Sequence, residues 1–139
     1  MKKTSSIICV PVLIIIIISG AWLAIDRFFP KAEALEVPHY DGVIAVSLSD
    51  NKGNAADIDK TVFEGILHCI SGATPTRQMS VNDYPGAEAY YVIRVETDER
   101  QYCYFVYEDS SRIYIESPYE GIYKAGAELL DAISECYKD

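Results

Sequence analysis

The sequence lacks the short motifs that carry the commonest enzyme chemistries. It contains no GxSxG, HExxH, P-loop or EF-hand pattern. Its two histidines are His39 and His68, and a catalytic nucleophile needs a base within hydrogen-bond reach and a group that orients that base. His68 only adjoins Cys69, and adjacent residues on a helix do not face each other. We therefore predict no catalytic residue and no cofactor.

Cysteine spacing gives no metal signature. The chain has four cysteines and no CxxC pair, so the sequence predicts no metal site. The stretch DNKGNAADID is weakly similar to a calcium loop, but Lys52 and Ala55 occupy ligand positions, which favours a turn and a helix cap. Two interpretations of the later cysteines stay open. Cys69 and Cys136 form a disulfide between two helices, or they are small buried apolar residues.

Basic residues are scarce. Twelve Lys and Arg stand against 21 Asp and Glu, which gives a formal net charge of −9. A surface this acidic repels the phosphates of nucleic acid and anionic lipid. Because the acidic residues are dispersed, they do not indicate a disordered acidic tail. The composition therefore excludes nucleic acid as a partner.

Uncharged residues are concentrated near the amino terminus, where residues 7–25 read IICVPVLIIIIISGAWLAI. A membrane-spanning helix needs about twenty mostly apolar residues, so we predict a transmembrane helix or signal anchor here. The predicted domains are a cytoplasmic tail (1–6), the span (7–25), a linker (26–40) and an extracytoplasmic domain (41–139). Cleavage after Ala34, in the small-x-small stretch from Ala32, is the alternative and would release a secreted protein.

Periodicity predicts an α+β two-layer domain in the order β-α-β-β-β-α, with both helices on one face of a mostly antiparallel sheet. The first strand covers residues 42–49. A helix capped by Asn54 follows and ends at Gly72. Three further strands are predicted at 88–96, 101–109 and 112–117, then a loop from Pro118 and a closing helix.

Turn positions assign the two faces of the predicted sheet. A turn at Ser110-Ser111 places Tyr107 opposite Tyr114, and a one-residue slip would exchange the two faces. The core face then holds Ile93, Val95, Tyr102, Tyr104, Val106, Ile113 and Ile115. The other face carries Tyr90, Val92, Arg94, Glu96, Phe105, Tyr107, Arg112, Tyr114 and Glu116.

Aromatic and arginine side chains on that second face are typical of a recognition surface. The residues assigned to this sheet-face site are Tyr90, Arg94, Phe105, Tyr107, Arg112 and Tyr114. The alternative is that cross-strand aromatic pairs only stabilise the sheet.

The segment ATPTRQMSVNDYPG, residues 73–86, is long for a connection between two elements. Arg77 suits a bidentate contact with a carboxylate or phosphate, and Ser80, Asn82 and Asp83 offer further hydrogen bonds. We expect this segment to meet the loop after Pro118, which would bring Arg77 near Tyr119 and Tyr123. The alternative is structural: part of the segment is an edge strand and the rest forms turns.

PTRQMSVND, FVYE and IYIESPYEGIYK together resemble an uncharacterised bacterial domain family of unknown function, over residues 42–123. Ser110-Ser111 stand where that family is expected to have an Asn-Gly turn. The resemblance implies a small extracytoplasmic protein with a membrane anchor or lipoprotein signal, and it brings no catalytic residue. It implies special roles for Thr76, Arg77, Ser80, Asn82, Asp83, Pro118, Tyr119, Gly121 and Tyr123.

The leading functional interpretation is a membrane-tethered extracytoplasmic binding or regulatory domain without catalytic activity. Its partners would be the membrane, through residues 7–25, and a membrane or cell-surface protein. A cell-wall-associated hydrolase and a structural accessory subunit of a membrane complex are the alternatives.

Overall fold

The computed structural model describes residues 4–138 and divides the chain into two compact units, residues 1–31 and 32–139. The first unit contains helix α1 (Thr4–Phe28), whose stretch Val10–Phe28 is 19 residues long with a mean hydropathy of 1.9. That stretch is long and apolar enough to cross a membrane, although a signal sequence has the same character. Helix α1 begins at Thr4, within the predicted tail 1–6, and residues 1–3 lie outside the described residues. The tail itself stays a prediction.

The second unit is an α+β domain built on one sheet. Its elements are β1 (Val43–Asp50), β2 (Ala55–Ala56), α2 (Lys60–Ser71), β3 (Thr74–Pro75), β4 (Tyr91–Thr97), β5 (Gln101–Asp109), β6 (Arg112–Ser117), β7 (Gly121–Ala125) and α3 (Ala127–Glu135). All strand pairs are antiparallel, in the order β2-β1-β4-β5-β6-β7-β3. The predicted class is confirmed. The predicted order β-α-β-β-β-α was wrong because it lacked β2, β3 and β7.

The central hairpin has the predicted register. Ser110 and Ser111 both have positive φ angles, 52° and 61°, as a two-residue hairpin turn of type I′ requires. Tyr107 therefore pairs with Tyr114, and Ile93 pairs with Tyr104 in the preceding hairpin. The predicted bounds of β5 and β6 are correct, whereas β4 begins at Tyr91 rather than at residue 88.

The segment after Pro118 is a strand and not the predicted loop. β6 ends at Ser117, and a tight turn in which Tyr119 has φ 63° leads directly into β7. β7 pairs with β6 on one side and with the edge strand β3 on the other. The edge-strand interpretation of the segment from Ala73 is therefore correct for Thr74–Pro75.

Helix α2 begins later than predicted. Asp59 is its N-cap, and one carboxylate oxygen accepts hydrogen bonds from the amides of Thr61 and Val62. Asn54, the predicted cap, instead donates its amide groups to the Asp50 carboxylate in the turn after β1. Gly72 ends the helix as predicted, with right-handed rather than left-handed backbone angles.

The core lies between the two longer helices of the domain and the predicted core face of the sheet. Leu129 and Ile133 of α3 and four residues of α2 pack against inward side chains of β4 to β7. The fully buried sheet residues on this face are Leu48, Ile93, Val95, Tyr104, Val106, Ile115 and Tyr123. Burial of this continuous apolar face fixes the register of every strand.

Residues 32–40 of the predicted linker 26–40 belong to the domain. Ala32 is 8% exposed, and its amide donates a 3.0 Å hydrogen bond to the carbonyl of Thr76. Further along, the Glu36 carbonyl accepts a 2.7 Å bond from the Tyr104 hydroxyl. Leu35, Val37 and Tyr40 pack on the core. Residues 32–40 show neither helical nor strand periodicity, because an irregular segment can pack on a core without regularly spaced apolar residues.

The two ends of the sheet carry different features. The entry end holds the turns at residues 98–100 and 118–120, and the chain enters the domain here at Ala32. The other end, which we call the cleft end after the cleft described below, holds the turns at residues 51–54 and 110–111, where β1 and β5 finish.

Of the two interpretations of Cys69 and Cys136, the disulfide is not formed in this structure. Cys69, Cys103 and Cys136 are all free thiols that are partly buried. Cys69 and Cys136 pack beside the core, and burial raises the pKa of each thiol. This placement fits the alternative interpretation of small apolar residues.

Candidate functional site

The two loop segments singled out in the sequence lie side by side. The Thr76 amide and hydroxyl both donate to the carbonyl of Ile122, at 3.1 and 2.6 Å, and the Ile122 amide donates to the carbonyl of Gln78 at 3.1 Å. The pairing of β3 with β7 therefore continues past Pro75. This juxtaposition is the one that the sequence predicted for the two loops.

A side-chain contact closes the junction near its surface. The Tyr119 hydroxyl donates to the Asp83 carboxylate, and that hydrogen bond and charge raise the pKa of Tyr119. Both residues are exposed. The contact therefore joins the turn before β7 to the middle of the long segment.

Ser80 and Glu116 anchor the same segment beneath the surface. The Ser80 hydroxyl donates a 2.6 Å hydrogen bond to the Glu116 carboxylate, and the two residues are only 3% and 5% exposed. A buried carboxylate requires such donors because its desolvation is costly. The sequence placed Glu116 on the sheet face but did not indicate that it is buried.

The long segment thereby covers much of the face that the sequence left open. Phe105 is 2% exposed, because the rings of Tyr84 and Tyr90 pack on it edge-on at 5.8 and 5.6 Å. Phe105 therefore cannot contact a ligand, which corrects its assignment to the sheet-face site. Stacking of Tyr107 on Tyr114, with ring centres 5.9 Å apart, fits the stabilising role of cross-strand pairs.

The remaining predicted site residues are scattered. Tyr123 is 1% exposed in the core, since its register partner is Ile115 on the inner face; its assignment to the binding site was wrong. Asn82 and the two arginines Arg94 and Arg112 are exposed, and Arg77 is partly buried. Recognition of a ligand anion by Arg77 stays a prediction.

A large cleft opens at the cleft end of the sheet, and the sequence analysis missed it. Its volume is about 1070 Å³. Its walls come from the turn after β1, the stretch from Gly86 into β4, the end of β5, and α3 with the residues after it, together with Gln78 of the long segment and Ile122 of β7. Its chemically distinctive lining residues are Tyr90, Tyr91, Tyr107, Tyr137, Asp50, Glu88, Glu108, Asp109 and Lys52.

Hydrogen bonds fix two of these walls to each other. The Asn51 side-chain amide donates to the Glu88 carbonyl at 2.8 Å, and the Asn51 backbone amide donates to the Tyr90 carbonyl at 2.9 Å. The Tyr137 ring packs 5.5 Å from that of Tyr91. The cleft is thus held open by ordered contacts, as expected for a largely preformed ligand site.

A family model for a domain of unknown function, described as "Domain of unknown function (DUF5300)", matches residues 31–124. The chain belongs to this family, DUF5301. No curated protein matches the chain. A solved structure, described as "NMR structure of the protein from Ruminococcus gnavus", is similar, with 30% sequence identity and a TM-score of 0.54. The similarity covers 66% of this chain and 91% of the other.

The extent of the DUF5301 match separates the site residues into two groups. The buried Ser80–Glu116 pair and the tyrosines of β4 and β5 lie within the matched residues. Helix α3 and Tyr137, which comes just after it, follow the match. The match begins at residue 31, which agrees with the structural role of Ala32.

Carboxylates and burial set the electrostatics of the cleft. Burial, followed by the charges of Glu116 and Asp109, raises the pKa of Tyr107 to about 12. Burial and the charge of Asp50 likewise raise the pKa of Tyr137 to about 12. The phenols therefore remain neutral at physiological pH, and the neighbouring charges that act on them are negative.

The Asp50 carboxylate already serves the turn. It accepts from the Lys52 and Asn54 amides and from the Asn54 side chain, and the bond from that side chain is the main reason why the pKa of Asp50 is lowered. Across residues 4–138, no group of three or more His, Cys, Asp and Glu residues is placed to hold a metal ion. Of the other three cleft carboxylates, Asp109 accepts a 3.1 Å hydrogen bond from the Ser110 hydroxyl with one oxygen. Glu88, Glu108 and the second oxygen of Asp109 are available to a ligand.

Proposed function

We propose that this DUF5301 chain is a membrane-tethered extracytoplasmic binding domain without catalytic activity, and that the cleft takes a positively charged group of its ligand. The observation that carries the proposal is the composition of the cleft. Four tyrosines and four carboxylates line it, against a single lysine. Aromatic faces and carboxylates together suit an ammonium or guanidinium group.

Attachment by α1 supports the tether. Cleavage after Ala34 would remove the Ala32 amide that bonds Thr76 and the methyl group that packs beside Gly121. An uncleaved helix keeps these contacts. A signal anchor therefore fits the domain better than a cleaved signal peptide.

The test is a titration of the full chain in detergent micelles with tetramethylammonium, followed through the amide resonances of the cleft. The neutral alcohol tert-butanol, which has a similar size, is the comparison probe. Tetramethylammonium should shift the resonances of Tyr90, Tyr91 and Tyr107 and tert-butanol should not, because only the cation is attracted by aromatic faces and carboxylates. Equal shifts from both probes, or none from either, would overturn the proposal.

Matched charge variants sharpen the result. Glu108→Gln removes a cleft carboxylate, and Glu99→Gln removes an exposed carboxylate from the turn at the entry end. We expect Glu108→Gln to weaken tetramethylammonium binding about two- to fivefold, the range of one exposed charge contact. Glu99→Gln should leave it unchanged.

A further inference from the structure

Four large apolar side chains are exposed together on the long segment and the turn before β7. Met79 is 54% exposed, Val81 71%, Tyr84 61% and Tyr119 65%. We name these four residues the apolar patch. Exposed apolar clusters on a soluble surface mark contacts with another molecule or a membrane.

The patch is rigidly placed on the domain. The Tyr119–Asp83 bond joins its two halves, and the buried Ser80–Glu116 bond holds the backbone between Met79 and Val81. Packing of Tyr84 on Phe105 fixes its far side. The apolar groups are therefore presented to solvent by a defined structure.

The patch lies beside the point where the chain enters the domain. Ala32 bonds the carbonyl of Thr76, which is three residues before Met79, and its methyl group lies against Gly121, which is two residues after Tyr119. Only residues 29–31 separate Ala32 from the end of α1 at Phe28. The four steps of extended chain from Phe28 to Ala32 reach only about 14 Å, so a bilayer that holds α1 is within a short distance of Ala32.

We propose that the apolar patch rests in the interfacial layer of the bilayer that α1 crosses, which leaves the turns at residues 51–54 and 110–111, at the other end of the sheet, open to solvent. The inference rests on the membrane tether of the proposed function. Tyrosine is enriched at membrane interfaces, and apolar side chains bind there by burying area in the headgroup region. With a net charge of −9, the chain gains nothing from anionic lipid, so contact depends on the apolar groups.

The test measures the depth of single tryptophans in the full chain. Trp22 is the one tryptophan in the sequence and lies in α1. In a Trp22→Phe background, Val81→Trp reports on the patch and Lys52→Trp reports on the exposed turn at the cleft end. Each chain is reconstituted in phosphatidylcholine vesicles that contain lipids brominated near the headgroup, which quench tryptophan on contact.

We expect quenching of Val81→Trp to exceed that of Lys52→Trp about threefold, the contrast between an interfacial and an aqueous residue. Replacing part of the phosphatidylcholine with phosphatidylglycerol should not increase it. Equal, weak quenching at both positions would overturn the proposal, as would quenching that requires the anionic lipid. Native Trp22, measured in the unmodified chain with deeply brominated lipid, distinguishes a failure of the patch proposal from a failure of the membrane tether. If Trp22 is quenched and Val81→Trp is not, only the patch proposal is rejected. If Trp22 is not quenched, both the tether and the patch are rejected.

Discussion

The two ends of the sheet differ in the contacts that their charged side chains make within the chain. At the entry end, Glu36 pairs with Arg100 at 2.5 Å, and the Arg100 guanidinium lies 4.2 Å from the centre of the Tyr102 ring. At the cleft end, Glu88, Glu108 and Asp109 form no ion pair among residues 4–138. The entry end therefore pairs a carboxylate with an arginine that lies over a tyrosine ring, and the cleft end presents unneutralised carboxylates beside tyrosine rings.

This difference teaches where each part of the sequence acts. Residues 32–40 close the entry end because they carry apolar side chains and a carbonyl that a buried tyrosine needs. The cleft end has polar turns instead, and their bonds shape an opening. Substitutions at the entry end should change stability, and substitutions at the cleft end should change binding with little effect on stability.

The largest effect is expected for Gly121→Ala at the entry end. A Cβ atom on Gly121 would lie 2.5 Å from the Cβ of Ala32, so the entering chain must move. We expect a loss of about 1–3 kcal/mol in the free energy of unfolding, the usual cost of overpacking. Thermal denaturation of the full chain in detergent, followed by circular dichroism, measures it.

Gly65→Ala is the matched control. Gly65 lies inside α2 with open space around a Cβ atom, and alanine favours a helix interior over glycine by up to about 1 kcal/mol. The same substitution should therefore stabilise the protein at one glycine and destabilise it at the other. Two changes of the same sign would contradict the tight contact at Ala32.

A smaller loss is expected for Tyr104→Phe. The substitution keeps the buried ring and removes the hydroxyl that donates to the Glu36 carbonyl, which should cost about 1 kcal/mol. Tyr84→Phe removes an exposed hydroxyl and should change the melting temperature little. If both variants melt alike, residues 32–40 contribute less to the entry end than the structure indicates.

The sequence predicts the hairpins well and the irregular parts poorly. Alternation in β5 and β6, with serines that adopt a type I′ turn, fixes one register that buries Val106 and Ile115. Strand β7 was missed because its turn depends on Tyr119, a non-glycine residue with φ 63°. A tyrosine with left-handed backbone angles cannot be recognised from the sequence, since glycine or asparagine normally occupies such positions.

The candidate site was predicted only in part for the same kind of reason. The two loops were expected to meet because one leaves a helix and the other leads to the next helix. The cleft, in contrast, draws on six separate segments from Asp50 to Tyr137. Residues that only the tertiary structure brings together have no characteristic spacing in the sequence. The polar residues of DNKGN, three of which line the cleft, were already explained by the turn that they form.

The smallest effect is expected from alkaline pH, and it tests the cleft end. The pKa values of Tyr107 and Tyr137 are about 12, above the value of about 10 for an unfolded tyrosine. The folded state therefore holds these two protons more tightly than the unfolded state. Their contribution to stability is complete below pH about 10 and is lost as the pH rises to about 12. Solvent screens both side chains in part, so the loss should be small.

Melting temperatures across that window, for the wild type and the double variant Tyr107→Phe/Tyr137→Phe, measure the contribution of the cleft. Burial also raises the pKa of Tyr104, which both proteins share and which therefore cancels in the comparison. The double variant should lose stability less steeply with rising pH, because phenylalanine has no proton to release. Parallel curves would mean that the cleft tyrosines ionise as freely as in the unfolded chain, so that neither their burial nor the neighbouring carboxylates hold their protons.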